Sequence, residues 1–329
     1  MYDAFLLLSF GGPEHPDQVM PFLENVTRGR GVPAERLAEV AEHYMRFGGV
    51  SPINQQCREL RAAIEADFAA NGVNLPVYWG NRNWHPMVED TMARMRADGV
   101  KRAMAFATSG FGSYSSCRQY LEDLVRGGQP PVVDKLRHYH DHPGYVEPFI
   151  DAKREALKKL DPGLPTRLVF TAHSIPVSMA RSAGPAGGRY EAQLRETAAL
   201  VAEPGEAWDL VWQSRSGPPH IPWLEPDVND HLRVLAKEGV AQVVVVPIGF
   251  ISDHLEVLWD LDEQAAATAR ELGLGFARAA TPGTDPRFVA MVRDLVVERT
   301  SSGTPRAQLG KLDHWDVCPA HCCPAPARR

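Results

Sequence analysis

A histidine, two carboxylates four residues apart and a crowd of cysteines are the side chains whose types and spacing suit chemistry. His173 stands in TAHSIP, directly after an apolar run. An imidazole, with an unperturbed pKa of about 6.5, can accept or release a proton near neutral pH. A hydrogen-bonded structural histidine would fit the same position. Glu256 and Asp260 occur in SDHLEVLWDLDEQ, with Gln264 four residues further on. On a helix this spacing places them along one face, where a row of oxygen ligands could pass a hydrated divalent cation toward a reaction centre. A solvated helix face is the plainer alternative. Against it, an apolar strand ends just before the acids, which favours their facing a cleft. Cys318, Cys322 and Cys323 crowd the last twelve residues, whereas Cys57 and Cys117 are isolated. Five cysteines cannot all pair internally. The sequence shows no targeting segment, which suggests a reducing cytoplasm, where clustered thiols point to metal more than to disulfides.

The elements that must position these groups follow from short apolar runs. Phe5–Leu8, Val77–Trp79, Ala103–Ala107, Leu168–Thr171, Leu210–Trp212 and Val243–Pro247 read as strands buried on both faces. Helical patterns lie between them, among them Pro33–Met45, Cys57–Asn71, Pro86–Asp98, Tyr114–Arg126, Val146–Lys159 and Arg189–Val201. The alternation predicts an α/β fold with parallel sheets. It runs twice, with HYHDHPGY (His138–Tyr145) at the junction. The expected units are therefore residues 1–145, residues 146–300 and a cysteine-containing extension, 301–329. The extension lacks periodicity and is expected to be disordered unless a metal site orders it.

Each strand end carries a distinctive loop: SFGGP, GNRNWHP, TSGFGSYSSC, AHSIP, WQSRSGPP and GFISDHLE. Ligands of open α/β sheets bind beyond such ends, so six of these loops predict one large cleft between two domains. None of the loops is GxGxxG or GxxxxGK[ST], which argues against a dinucleotide or nucleoside-triphosphate site. The chain has 329 residues, 44% of them apolar, and a net charge of −6. That length suits two domains, and that charge argues against a nucleic-acid partner. No run of 18 apolar residues is present, so no transmembrane helix is expected.

The motifs AHSIP, the WQS…PWL.PDV pattern (Trp212–Val228), GFISDHLEVLWDLD and GGVSPIN (Gly48–Asn54) together resemble the ferrochelatase family. The similarity runs from LLLSFGGP to about Arg299. The resemblance implies two similar Rossmann-like domains, the chelatase fold, with a porphyrin cleft between them. It also implies insertion of Fe²⁺, the substrate metal, into a porphyrin for haem biosynthesis. His173 and Glu256 match the facing catalytic pair, and with Asp260 they match the residues that meet the incoming iron. Gln264 stands where some relatives have an acid. Phe10, at the porphyrin, stands where some have a metal-contacting tyrosine, and Asn83 where some have a histidine. Iron should therefore arrive from the His173–Glu256 side.

Arg28 and Arg30, in TRGRG, suit substrate carboxylates because guanidinium binds them bidentately. Ser51, Tyr114, Ser115 and Tyr120 match positions at the porphyrin edge. The chain lacks the apolar membrane-docking segment of mitochondrial relatives, which favours coproporphyrin III, with four propionates, over protoporphyrin IX. Some relatives carry a [2Fe–2S] cluster on one internal and three C-terminal cysteines, which Cys117, Cys318, Cys322 and Cys323 match. A zinc site or a reduced, frayed tail are the alternatives, and Cys57 reads as a packed thiol. The competing functions are a chelatase for protoporphyrin IX or for another metal and tetrapyrrole, and a non-catalytic haem- or cluster-binding protein. A cytoplasmic monomer is expected.

Overall fold

The computed structural model describes residues 1–29 and 31–326. The apolar runs form two four-stranded sheets, parallel throughout. The first comprises β1 (Ala4–Ser9), β2 (Val77–Asn81), β3 (Arg102–Ala107) and β4 (Val132–Lys135), in the order β2-β1-β3-β4. The second comprises β5 (Thr166–His173), β6 (Trp208–Gln213), β7 (Gln242–Val246) and β8 (Gly275–Arg278), in the order β6-β5-β7-β8. Each half therefore lays its first strand beside its second, then crosses to place the third and fourth on the other side. The point where the connections diverge lies between β1 and β3 in one half and between β5 and β7 in the other, the place where such sheets bind ligands.

β1 and β7 are buried along their whole length, as continuous aliphatic strands between two helical layers must be. β4 and β8, two of the four edge strands, fall outside the apolar runs. Both are short and charged, with Asp134 and Lys135 on one and Arg278 on the other, and an edge strand needs only one covered side.

The helices of the first half are α1 (Val19–Thr27), α2 (Ala34–Arg46), α3 (Ile53–Ala70), α4 (Val88–Ala97) and α5 (Gln119–Arg126). Those of the second are α6 (Pro143–Leu157), α7 (Val177–Arg181), α8 (Arg189–Val201), α9 (Val228–Lys237), α10 (Leu255–Val257), α11 (Ala266–Glu271) and α12 (Pro286–Thr300). Two π-helical segments interrupt the pattern: Tyr114–Arg118, which leads into α5, and Leu258–Ala265, which joins α10 to α11. Such i→i+5 segments recur at functional sites, and one holds Asp260 while the other holds Cys117.

One core runs through both halves. Phe106 stacks on Tyr139 at 4.8 Å, and Phe288 of α12 packs against both at 6.2 and 6.1 Å. α12 returns from the end of the second half to lie on α3 and α6, and Arg293 clamps it to Asp67 at 2.7 Å. The junction His138–Tyr145 is buried within this core apart from the partly exposed His138 and Pro143.

Part of the extension is held by contacts that its composition does not reveal. Residues 307–316 dock on the body through polar contacts that involve no thiol. Arg137 grips Glu298 at 2.7 Å and donates to the Ala307 carbonyl at 3.0 Å. Glu196 accepts from the Lys311 and Leu312 N–H groups at 2.6 and 3.2 Å, and Arg189 lies 4.2 Å over the Trp315 ring. Backbone amides and the Asp141 and Glu196 carboxylates supply this anchoring in place of apolar periodicity.

Candidate active site

His173 is the last residue of β5, in register with Gln213 at the end of β6. Its carbonyl accepts from Tyr190 Oη at 2.8 Å. Its Nδ1 lies 2.5 Å from the Ser174 carbonyl, an acceptor only, so Nδ1 carries the proton. The lone pair is therefore on Nε2, which faces Glu256 Oε2 at 3.7 Å. The two side chains are 34% and 46% exposed, open enough to meet a substrate.

Gly249 explains why Glu256 comes so close. The chain leaving β7 hugs the end of β5, where the Gly249 N–H donates to the Thr171 carbonyl at 3.1 Å. A Cβ on Gly249 would stand 2.6 Å from Ala172 Cβ. This close approach swings residues 250–256 across the mouth of β5. His254 caps α10, accepting from the Val257 N–H at 3.4 Å. Its Nε2 is also 3.7 Å from Glu256 Oε2, so one carboxylate oxygen faces two imidazoles. Burial pulls the His254 pKa down, against the opposing charge of Glu256. Its part was not anticipated, although it stands two residues from Glu256 in the same motif.

Asp260 sits deeper, on the π-helical segment. Ser214 Oγ donates to its Oδ2, and Gln213 Nε2 approaches the same oxygen at 3.4 Å. Ser214 holds a left-handed backbone, φ 61°, a conformation a non-glycine residue adopts at a cost. It turns the end of β6 toward Asp260. Burial pushes the Asp260 carboxyl up to about 6, with the Ser214 hydrogen bond opposing and the Glu256 charge reinforcing the rise. Gln264, further along the segment, is exposed.

The first half closes over this group from the other side. Leu255 packs with Phe22 and Tyr44 of α1 and α2, and Phe10 and Trp84 lie against that cluster. His43 stacks on Trp259 at 4.1 Å, and Gln56 Nε2 donates to the Asp253 carbonyl at 3.0 Å. Phe10 follows β1, with its carbonyl accepting from the Asn83 N–H at 3.0 Å. Arg28 is exposed at the carboxyl end of α1, and Arg30 lies outside the described residues.

Ser51 is buried, its N–H bonded to the Pro13 carbonyl at 2.8 Å. Tyr114 donates to Glu122 at 3.0 Å, and Ser115 Oγ reaches Met179 Sδ of the second half at 3.6 Å. Tyr120 is only 4% exposed and belongs to the core under the first sheet, with Arg82 5.0 Å over its ring. Its place there is a supporting one behind the loop, not an open wall.

The four cysteines at 117, 318, 322 and 323 gather at one place. Cys117 and Cys318 share a hydrogen bond that raises the Cys117 pKa and holds the Cys318 thiol well below the usual range. Cys322 Sγ is 3.6 Å from Cys323 Sγ and is also in hydrogen-bond reach of Cys318. The Gly184 N–H donates to Cys323 Sγ at 3.1 Å, and Cys323 adopts φ 52°. That left-handed turn lets adjacent cysteines point to one side. Cys57 is buried in the main core beside Ser9, its thiol pushed up by burial to about 11.

Comparison with known proteins identifies the family and the fold. The ferrochelatase family's sequence pattern matches residues 2–300. A coproporphyrin III ferrochelatase of Streptomyces griseus is 53% identical, with 99% of this chain and 94% of that protein covered. One of Nocardia farcinica is 55% identical, covering 99% and 97%. A ferrochelatase of Rhodopirellula baltica is 52% identical, covering 100% and 95%. Among solved structures, SirB of Bacillus subtilis, determined with Fe³⁺, superposes with a TM-score of 0.53 at 12% identity, covering 92% of this chain and 98% of SirB. A multi-domain Deinococcus radiodurans protein described as similar to chelatases superposes with a TM-score of 0.53 at 16% identity, covering 95% of this chain and 58% of that one. These two likenesses concern the fold.

Proposed function

The chain belongs to the ferrochelatase family, and we propose that it inserts ferrous iron into coproporphyrin III to give coproheme, at the site formed by His173, Glu256 and Asp260. The observation that carries this reading is the facing pair, His173 Nε2 and Glu256 Oε2, at the mouth of the second sheet.

Insertion removes two pyrrole protons while Fe²⁺ sheds its water. One nitrogen cannot hold a proton and a metal together, and His173 has one free nitrogen. His173 Nε2 therefore serves one role at a time, with Glu256 supplying the other, as base or as oxygen ligand. His254, on the far side of the same carboxylate, keeps Glu256 turned toward the pair. Asp260, raised to about 6 by burial, can take a proton from this row, or give one up to meet the metal. The macrocycle must also bend to present its nitrogen lone pairs, a strain met by binding energy elsewhere on the substrate. Phe10, Ser51, Tyr114, Ser115 and Tyr120 serve the porphyrin edge, the last through the loop it supports. Arg28 and Arg30 take the propionates.

Cys117, Cys318, Cys322 and Cys323 hold a [2Fe–2S] cluster in this reading. They are linked in a chain, Cys117 to Cys318 to Cys322 to Cys323, and are not drawn into one tight group of four. A single tetrahedral zinc would need all four sulfurs about 3.8 Å apart, given Zn–S bonds of about 2.3 Å. Among the described residues no three of these sulfurs fall within 4.8 Å of one another. The Gly184 N–H bond to Cys323 is the kind that tunes a cluster's potential. A bound cluster would supply one-electron redox capacity and would fasten the extension to Cys117. It acts outside the iron-insertion site.

The substrate choice is tested by comparing kcat/KM for coproporphyrin III and protoporphyrin IX in one detergent-free buffer. Coproporphyrin should be the faster substrate, and a clear preference for protoporphyrin would overturn that part of the proposal.

A further inference from the structure

The junction between the halves holds a second group of metal-type ligands that iron insertion does not use. His140 and Asp141 are fully buried. His314, brought in by the extension, sets Nε2 2.9 Å from Asp141 Oδ1 and 3.0 Å from Oδ2. His140 Nδ1 lies 3.9 Å from Asp141 Oδ1. One donor atom from each of the three residues falls within 4.8 Å of the others. With metal–ligand bonds of about 2.0–2.2 Å, tetrahedral donors stand roughly 3.4 Å apart. The separations here bracket that value.

Two observations distinguish a metal site from a plain polar contact. The first is orientation. Glu196 Oε2 lies 3.0 Å from His140 Nε2, and its partner oxygen is fixed by two amides of the extension. Glu196 thus draws the proton to Nε2 and leaves Nδ1 the acceptor nitrogen, on the side of Asp141. Ligating histidines are held by carboxylates in this way. Gln193 Nε2 is 3.3 Å from that nitrogen and equally far from His138 Nδ1, a long, shared contact that a metal–nitrogen bond displaces. The second is that the buried Asp141 carboxylate is under-served: His314 Nε2, 2.9 Å from Oδ1 and 3.0 Å from Oδ2, has at most one N–H for the two oxygens, and Oδ1 has no other hydrogen-bond partner.

We propose that His140 Nδ1, Asp141 Oδ1 and His314 Nε2 bind a structural first-row divalent ion, with zinc the best match to two imidazoles and a carboxylate. Glu196 acts as the orienting residue behind His140. Because His314 belongs to the extension, the ion closes the site only when the extension docks, so binding and docking are coupled. This clasp is separate from the thiols and from the His173 site.

The test loads full-length protein with Co²⁺, a coloured stand-in for zinc, in the His173→Ala background so that the insertion site does not compete. Metal is counted after gel filtration and the spectrum recorded. One equivalent should show ligand-field bands without thiolate charge transfer, and should persist in a further Cys117→Ser variant. His314→Gln should remove that equivalent, and Glu196→Gln should weaken it by 10- to 100-fold. His314 lies beyond the family-matching residues 2–300, so the body should stay folded, checked by near-ultraviolet circular dichroism and, in the otherwise wild-type chain, by iron insertion. Two results would overturn the proposal: metal retention unchanged by His314→Gln, or bound cobalt showing only thiolate bands. A third would be His314→Gln loosening the extension to protease while the parent protein binds no metal, which would make the contact a polar latch alone.

Discussion

Asp260→Asn separates the electrostatics of the acidic row from its packing. The carboxyl is raised from 3.8 to about 6, chiefly by burial. At about 1.36 kcal/mol per unit, the ionised form costs the fold about 3 kcal/mol relative to the unfolded chain. The sign follows from proton binding. The folded state holds this proton more tightly, so its contribution to stability is complete below the unfolded pKa. It is lost as pH rises from about 4 through about 6. Asparagine has the same shape, keeps an acceptor for Ser214 and cannot ionise. The variant should therefore match wild type near pH 4 and exceed it by about 3 kcal/mol near pH 7. Urea unfolding of both metal-free proteins at several pH values between these limits measures the difference. Iron insertion by the variant should be slower and should lose whatever acid limb the wild-type rate shows near pH 6. A stability difference that stays constant across this range would refute the burial argument for Asp260.

Other consequences follow from single contacts. Ser214→Ala removes the donor that lowers the Asp260 pKa, so the acid limb of the insertion rate should move to higher pH, read from a pH–rate profile. Gly249→Ala places a methyl 2.6 Å from Ala172 Cβ. The loop carrying Glu256 must then shift, costing about 1–3 kcal/mol, and insertion should fall with circular dichroism unchanged. Cys117→Ser, Cys318→Ser, Cys322→Ser and Cys323→Ser should each abolish acid-labile sulfide and visible colour in anaerobically purified protein, and Cys57→Ser should not. Cluster-free protein should still protect residues 307–316 from protease, since the docking contacts there involve Arg137, Glu196 and Asp141.

Six strands were legible because their burial leaves an unbroken apolar run, as in the Val243–Val246 stretch of β7 and even in the edge strand β2. The edge strands β4 and β8 were not, since their partly exposed residues include Asp134 and Arg278 and break that signature. Strand-end motifs located His173 and Glu256, because a loop's position in the alternation fixes which end of the sheet it occupies. The sequence could not show how near the two come. That depends on Gly249 touching Ala172, a contact across two strands. Nor could it separate Tyr120 from Tyr114: one faces the core and the other Glu122, although both lie in a single apparent helix that begins as a π-helical turn. The way the extension docks was not legible, for a physical reason. Its anchoring is carried by backbone amides and by Asp141 and Glu196, and hydrophobic patterning does not register such partners.

The central claim is that His173 and Glu256 together perform the insertion. It is tested most directly by following Fe²⁺ uptake into coproporphyrin III, anaerobically and by absorbance, with wild-type, His173→Ala and Glu256→Gln proteins. Wild type should convert the free base to coproheme with turnover. Each variant should be slower by about 10²–10⁴-fold, with circular dichroism and porphyrin binding retained. Near wild-type rates in both variants, or no metallation by the wild-type protein, would contradict the account.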